Sequence, residues 1–343
     1  MEIPALLPKT VDVRIPQTHE ECDTIRKQVK DRFDAWVTKY GPFPDKNPLN
    51  IKTQSERKWY WGFRELHLTY ECETGDLVSA YLLIPENGNK PFPAVVANHQ
   101  CAVDCDLGKD AVVGKAVLRS DQAYGFELVR QGFVVLAPDS INCGERNIKQ
   151  LRPQGTNDKR RCFDAALSHI SVKSLYLKHL WDAIRAVDVL ESFDFVDSHR
   201  IGMIGHSLGA GTTFWAAAFD TRIRASVLSC HFLGGLGVSG WGHFYRQSEN
   251  GLYYHELLSL IVPRACLATR GRKEIPFTLQ GDFVTSEEEN SVLEWAFKLG
   301  GHWCSLHGVS EERMQVQFFD GGHEFPEEQR NYAYKWLAKH LEG

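Results

Sequence analysis

Six short apolar runs recur from residue 93 onward, and they constrain the fold more than any other feature of the sequence. Each is four to six residues long and lacks the polar–apolar alternation of a half-exposed strand. Such runs are typical of strands buried on both faces of a parallel sheet. They are Pro93–Asn98, Phe133–Ala137, Ile201–Ile204, Ala225–Ser229, Ala265–Ala268 and Val316–Phe319.

Helical patterns separate these runs. They cover Gln122–Arg130, Val172–Glu191, Gly211–Ala218, Ser286–Lys298 and Glu327–Leu341. Strands and helices in alternation predict an α/β fold with a mostly parallel sheet and helices on both faces. Two further β-rich stretches, Arg64–Tyr70 and Val78–Ile84, flank a hairpin turn, and they bring the predicted sheet to eight strands.

The N-terminal region, residues 1–57, is predicted to be a helical extension that precedes a main domain over residues 58–343. Its helix begins at Thr18, where Glu21 completes a capping-box pattern, and ends before Gly41. A polar connector is expected over residues 43–57. The apolar side chains of this helix must be covered, and a homodimer contact through the extension would cover them; they include Ile25, Val29, Phe33 and Trp36.

Residues 201–211, IGMIGHSLGAG, place Ser207 at the end of an apolar run and before a small-residue helix pattern. Gly205 to Gly209 match G-x-S-x-G, the nucleophile elbow, in which glycines permit a tight strand-to-helix turn that exposes the serine hydroxyl. The flanking strand and helix are the context that this motif requires. Ser207 is therefore the predicted nucleophile.

A serine nucleophile needs a base, and the base needs an acid to orient it. His323 lies in FFDGGHEFP, directly after the last predicted strand, and is the predicted base. The acid is expected after the strand Ala265–Ala268, since the chain order in this arrangement is serine, acid, histidine. Glu274 is the first candidate there and Asp282 is the alternative.

Two backbone N–H groups are needed to stabilise an oxyanion. One is predicted to belong to Leu208, and the other to Cys101 in the loop after Pro93–Asn98, with Gln100 as the alternative. His99 is then a loop-shaping residue. A glycine- and aromatic-rich segment, residues 232–260, is expected to form a lid-like loop. Candidates for the substrate pocket are His206, His231, Trp241 and Trp303.

Four stretches together resemble the α/β-hydrolase superfamily, and most closely its dienelactone hydrolase and acetyl xylan esterase-like branch. They are VVANHQCAVDCDLGKDAVVG, AYGFELVRQGFVVLAPDSINCGER, GHSLGAGTTFWAAAFDTRIRASVLSC and FFDGGHEF. The resemblance implies an α/β-hydrolase fold and a serine esterase in which Ser207, His323 and Glu274 form the triad. Because this branch usually has an aspartate at the acid position, Asp282 stays an alternative.

Composition excludes several other classes. A formal net charge of −5 gives no basic surface for nucleic acid. No apolar run approaches the roughly 18 residues that cross a membrane, and no signal peptide is visible, which predicts a cytoplasmic protein. The nine cysteines are scattered, so they predict buried thiols, and their spacing predicts no metal site.

The expected function is hydrolysis of a carboxylic ester, with a small acetyl-like acyl group on a small-molecule substrate, through an acyl-enzyme and without a cofactor. The same triad could instead cleave a lactone, an amide or a carbon–carbon bond, or transfer the acyl group to another acceptor. A non-catalytic binding or sensor protein on the same scaffold is the third interpretation, since fold does not fix function.

Overall fold

The computed structural model describes residues 3–4, 13–100, 107–115, 122–146, 173–230, 252–274, 278–279, 282–283 and 285–342. In chain order its elements are α1 (His19–Tyr40), β1 (Lys52–Trp59), β2 (Phe63–Glu73), β3 (Asp76–Pro85), β4 (Phe92–Asn98), α2 (Lys109–Val112), α3 (Tyr124–Arg130), β5 (Val134–Pro138), α4 (Leu175–Glu191), β6 (Val196–His206), α5 (Leu208–Phe219), β7 (Ile223–Ser229), α6 (Tyr254–Ile261), β8 (Ala265–Gly271), β9 (Thr278–Leu279), β10 (Asp282–Phe283), α7 (Ser286–Leu306), β11 (Met314–Phe319) and α8 (Glu327–Leu341). Short 3-10 helices cover Gly144–Arg146 and Glu311–Arg313.

The main sheet has the strand order β1-β2-β3-β5-β4-β6-β7-β8-β11 within the described residues. The six apolar runs became the parallel strands β4 to β8 and β11, while β1, β2 and β3 pair antiparallel at one edge. Because the parallel strands point the same way, the loops that follow them meet at one edge of the sheet. We call this the carboxyl edge.

Two hydrophobic clusters cover the two faces of the sheet. The larger contains the apolar side chains of α1, α4, α5, α6 and α7, and the smaller contains those of α2, α3 and α8. Crossover helices bury both faces of a parallel sheet, which explains why its strands lack polar alternation. The predicted α/β architecture with helices on both faces is confirmed.

The predicted strand number of eight was wrong, because the main sheet has a ninth strand, β1. The side chains from Lys52 to Lys58 are exposed, so β1 carries no apolar signal. Charged side chains on an edge strand protect it from pairing with another chain. The connector predicted over 43–57 therefore ends at residue 51, and the predicted boundary after residue 57 falls inside β1.

Helix α1 begins as predicted, with Thr18 as its N-cap and the Thr18 hydroxyl accepting a hydrogen bond from the Glu21 N–H at 3.2 Å. Its apolar face packs on the same chain: the ring of Phe33 stacks 3.6 Å from Phe219, and that of Trp36 lies 5.3 Å from Trp215. Because this face is covered intramolecularly, it gives no support to the predicted dimer contact.

The predicted lid-like segment lies mostly outside the described residues. Its last part is not a loop, because α6 starts at Tyr254 and packs against α5 and α7. Within the described parts of the chain, no helix has both the length and the apolar character needed to cross a membrane.

Replacing Trp36 with alanine tests whether α1 is an integral part of this core. Trp36 is 1% exposed, so we expect the Trp36→Ala change to lower the free energy of unfolding by about 3–5 kcal/mol, from lost burial and a cavity. Urea denaturation measures this. Lys30→Ala on the exposed face of α1 is the control and should change stability by less than about 0.5 kcal/mol. Equal midpoints for the two variants would contradict the packing.

Candidate active site

Ser207 occupies a sharp turn between β6 and α5. Its backbone has φ 56° and ψ −117°, a conformation that non-glycine residues rarely adopt. The Ser207 N–H donates to the carbonyl of Ser229 at the end of β7, at 2.9 Å, which anchors the turn to the neighbouring strand. The serine predicted as nucleophile therefore stands at the carboxyl edge, at the N-terminus of a helix.

The two glycines of the motif are required by close backbone contacts. A Cβ at Gly209 would overlap the carbonyl group of Asn98 at the end of β4, and a Cβ at Gly205 would overlap the carbonyl group of Gly209. The hydroxyl of Tyr124 also donates to the Asn98 carbonyl. Glycine at both positions lets α5 start directly against the sheet, and the turn at Ser207 follows from that approach.

His323 and Glu274 come from loops that follow the adjacent strands β11 and β8. The His323 Nδ1 lies 2.6 Å from the Glu274 Oε1, although the two residues are 49 positions apart in sequence. The Glu274 side chain is 1% exposed, whereas that of His323 is 37% exposed. A carboxylate on Nδ1 fixes the ring orientation and leaves Nε2 to serve a neighbouring hydroxyl.

Backbone hydrogen bonds hold these two loops together. The Lys273 N–H donates to the Gly321 carbonyl and the Arg272 N–H to the Phe319 carbonyl, both at 2.9 Å. A Cβ at Gly271 would overlap the carbonyl of Gly322, so the loops approach at a glycine. The acid and the histidine are thus placed by main-chain contacts rather than by their own side chains.

Around the Glu274 carboxylate lie a cation and a thiol. Arg270 Nη1 is 4.0 Å from its Oε2. Cys230 Sγ, Glu274 and His323 have their polar atoms within 4.8 Å of one another. Burial, and then the charge of Glu274, raise the pKa of the Cys230 thiol well above its usual range, so the sulfur stays protonated and can donate. Sequence reasoning missed Cys230, and only its position directly after β7 could have indicated it.

The alternative acid, Asp282, lies in β10, which pairs with β9 in a separate two-stranded ribbon. Its side chain lies outside what the structure describes. The residue that the structure brings to His323 is Glu274.

His206 contacts His323 and is shielded from solvent. Its ring centroid lies 4.8 Å from that of His323, and its Nδ1 is 2.9 Å from the Ser229 hydroxyl. The ring also lies parallel to Phe325, at 6.4 Å. His206 was predicted as a pocket residue. It is buried and contacts the ring of His323, so its described contacts are with the protein interior.

Leu208 is the first residue of α5, so its N–H belongs to a helix N-terminus, where backbone donors are unpaired within the helix. Cys101, the other predicted donor, lies outside the described residues. Its alternative, Gln100, is buried at the end of the described β4 loop.

The hydrogen bonds of His99 define its tautomer. Its Nε2 lies 2.9 Å from the Ser140 backbone nitrogen, which can only donate. Nε2 is therefore the acceptor, and Nδ1 carries the proton that it donates to the Gln100 carbonyl at 2.8 Å. Burial lowers the pKa of His99, which favours this neutral form. His99 was predicted to shape this loop, and it does so by holding the Gln100 carbonyl with its Nδ1–H.

Asp139 was missed by sequence reasoning, and it organises the loop after β5. Its carboxylate accepts from the N–H groups of Lys109 at 2.8 Å and Glu145 at 2.9 Å, and from the Lys109 Nζ at 2.6 Å. A Cβ at Gly108 or Gly144 would overlap this carboxylate. The glycines on either side therefore shape a cradle for Asp139, and the loop that carries Ser140 is fixed beside His99.

Of the remaining pocket candidates, only Trp303 lies in the described part of the chain. Trp303 was predicted wrongly, because α7 runs on to Leu306 and buries Trp303 (2% exposed) in the hydrophobic core. This helix leads from the carboxyl edge to the start of β11, so Trp303 lies near the opposite edge of the sheet. His231 and Trp241 lie outside the described residues.

Comparisons with known proteins identify hydrolases and esterases that are similar to this chain. A family model described as acetyl xylan esterase (AXE1) matches residues 166–237, which include the serine turn. The protein named "Putative hydrolase YtaP" from Bacillus subtilis (strain 168) is 26% identical over 246 residues, which cover 67% of this chain and 76% of that protein.

Two solved structures are similar over nearly their whole length. A glucuronoyl esterase from Solibacter usitatus has a TM-score of 0.68 at 16% identity, covering 100% of this chain and 98% of that chain. Acetyl xylan esterase 1 from Thermoanaerobacterium sp. JW/SL YS485 has a TM-score of 0.55 at 14% identity, covering 96% of each chain. At such identity these likenesses establish the fold, and the predicted α/β-hydrolase fold is confirmed. The family match confirms the resemblance to the acetyl xylan esterase-like branch.

Replacing Glu274 with glutamine tests its role as the acid. The amide keeps the shape but removes the charge that supports a protonated His323, so we expect kcat for an aryl acetate to fall by about 10³- to 10⁴-fold. Asp282→Asn is the matched control, with kcat expected within about threefold of the unchanged protein. The reverse pattern would make Asp282 the acid.

A pair of variants at His99 separates its two hydrogen bonds. The asparagine amide nitrogen takes the place of Nδ1 and keeps the donor to Gln100, whereas the glutamine oxygen takes the place of Nε2 and keeps the acceptor for Ser140. We expect His99→Gln to lower kcat by roughly 10- to 100-fold through a displaced oxyanion donor, with KM little changed. His99→Asn should stay within about threefold. Each variant loses one hydrogen bond, so thermal unfolding should give similar Tm values, and equal kcat losses would contradict the orienting role.

Proposed function

We propose that this chain, which belongs to the α/β-hydrolase superfamily, uses Ser207 to hydrolyse a carboxylic ester with a small, acetyl-like acyl group. The observation that carries this proposal is the His323–Glu274 pair, at 2.6 Å, at the same sheet edge as a serine held at φ 56° on a helix N-terminus. The chain is a carboxylic ester hydrolase, and its triad is Ser207, His323 and Glu274.

Catalysis begins when His323 Nε2 takes the proton of the Ser207 hydroxyl as the oxygen attacks the ester carbonyl. The buried Glu274 carboxylate holds Nδ1–H and stabilises the imidazolium that forms. The protonated ring then gives its proton to the alcohol that leaves. Water attacks the acyl-enzyme with His323 as base, and the acid is released.

The negative charge that develops on the carbonyl oxygen needs fixed donors. The N–H of Leu208, at the start of α5, is one of them, and the positive end of the helix dipole acts in the same direction. The second donor belongs to the loop after β4, with Cys101 first and Gln100 as the alternative. His99 sets the orientation of that loop through the Gln100 carbonyl.

The names of the relatives support a substrate class. The matching family model is described as an acetyl xylan esterase, and the similar solved structures include acetyl xylan and glucuronoyl esterases. We infer that the ester is an acetyl group on a carbohydrate. The cysteines of the described residues are buried and form no disulfide with one another, which suits a reducing compartment and supports a cytoplasmic location; they are Cys22, Cys72, Cys143, Cys230, Cys266 and Cys304.

Removal of the nucleophile tests the proposal directly. We expect Ser207→Ala to lower kcat for an acetyl ester by roughly three orders of magnitude or more, and to abolish labelling by a fluorophosphonate. Ser291→Ala, on the exposed face of α7, is the matched control and should keep both. Residual activity near that of the unchanged protein, or labelling that persists in Ser207→Ala, would overturn the assignment.

Substrate profiling separates the alternative reactions that share this triad. Acetylated sugars, longer acyl esters, methyl glucuronate esters, lactones and amides would be compared by kcat/KM, with an alcohol acceptor added to detect acyl transfer. The proposal expects acetylated sugars to rank first. A folded protein that neither turns over any of these nor labels with the fluorophosphonate would be a binding protein.

A further inference from the structure

Three groups of side chains in the described residues have the composition and proximity of metal ligands. One is Cys230, Glu274 and His323, which includes two residues of the proposed triad. A second, around Asp76 and Asp182, is already held by the cations of Arg146 and Lys178. The third is His19, Asp23 and His307, which joins α1 to α7 and has no role in the proposed reaction.

Two helices hold this third group in place. His19 and Asp23 are four residues apart on α1, so they share one face, and the His19 Nδ1 lies 3.4 Å from the Asp23 Oδ2. His307 is the C-cap of α7, where its backbone N–H bonds to the carbonyls of Trp303 at 3.2 Å and Cys304 at 3.0 Å. The two imidazole rings meet edge to face, with centroids 4.1 Å apart.

The distances fit a small ion. Ligand atoms about 2.0–2.2 Å from a tetrahedral zinc ion lie roughly 3.4 Å from one another. The His19–Asp23 pair already has this spacing, and one ring nitrogen of His307 lies within 4.8 Å of both partners. The His19 and Asp23 side chains are 56% and 57% exposed. A change of rotamer at either residue would therefore bring its ligand atom closer to the His307 nitrogen than the present limit of 4.8 Å.

One polar atom of this group is buried without a partner. The Nε2 of His307 is shut off from solvent and has no hydrogen-bond partner among the described residues. Buried polar atoms in native proteins almost always have one, so this nitrogen requires an explanation. Imidazole nitrogen and carboxylate oxygen are the donors that zinc takes in proteins.

We propose that His19, Asp23 and His307 bind a divalent zinc-class metal ion, which fastens α1 to α7. Water would complete the coordination. Arg26, whose Nη1 lies 3.6 Å from the Asp23 Oδ1, orients the carboxylate from its other oxygen. Since α7 carries His307 to the edge of the sheet opposite the carboxyl edge, this site is separate from the triad.

Zinc titration of the full chain, followed by isothermal calorimetry and thermal unfolding, tests the site. We expect one equivalent to bind and to raise Tm by at least about 2 °C. Both effects should vanish in His19→Ala and in His307→Ala. His19 is largely exposed, so its variant will fold.

Two variants serve as controls. His302→Ala removes another contact of α7 with the segment before α1, the 2.8 Å hydrogen bond from His302 Nε2 to the Pro16 carbonyl, but no ligand. His323→Ala removes the metal-like group at the triad. Both should keep the stoichiometric binding. Binding that survives His19→Ala, disappears in His323→Ala, or never reaches one equivalent would overturn the proposal, whatever the outcome of the esterase assays.

Discussion

The close approach of α5 to the end of β4 is the contact on which the rest of the site depends. Gly209 lies against the Asn98 carbonyl, and Gly205 against Gly209, with no room for a Cβ at either position. A helix that starts this near the sheet leaves the chain no space for a gradual turn, so Ser207 adopts φ 56°. The same contact puts the α5 N-terminus beside the loop that follows β4. The turn at the predicted nucleophile Ser207 and the position of the predicted donor Leu208 therefore depend on the same backbone contact.

The placement of the Glu274–His323 pair depends on sheet order. Glu274 and His323 are separated by the whole of α7, yet β8 and β11 are parallel neighbours, so their following loops must lie side by side. Hydrogen bonds from the Lys273 N–H to the Gly321 carbonyl and from the Arg272 N–H to the Phe319 carbonyl join the two loops independently of either catalytic side chain. A glutamate side chain is longer than the aspartate expected at this position. The positions of the two loops nevertheless bring its carboxylate to 2.6 Å from the imidazole, where it is buried.

Sequence reasoning predicted the parts of this molecule that rest on burial, and it failed where burial gives no pattern. The six parallel strands were visible because both of their faces are apolar, whereas β1 was invisible because Lys52 to Lys58 all face solvent. The helical pattern predicted over Ser286–Lys298 continues to Leu306 as α7, and Gly300 and Gly301 lie against Met314 and Glu311, where they let the helix pack closely on the start of β11. Trp303, predicted as a pocket residue, is therefore part of the core. Asp139 could not be predicted, because its partners are main-chain N–H groups brought together only by the fold.

Two different kinds of interaction hold the two sides of the site in place. Backbone contacts at glycines place Ser207, Glu274 and His323, while a buried polar network holds His99 and the loop after β5. The network starts at His99, passes through the Ser140 N–H to Asp139, and continues from the Asp139 carbonyl to the Arg146 guanidinium. Arg146 and Lys178 are themselves buried against Asp76 and Asp182, which ties the loop after β5 to α4 and to the β2–β3 hairpin. Each buried charge has a partner, since a lone one would cost several kcal/mol of desolvation. A change at one charged member therefore leaves an unpaired charge in the interior, and hydrogen bonds connect that charge to His99.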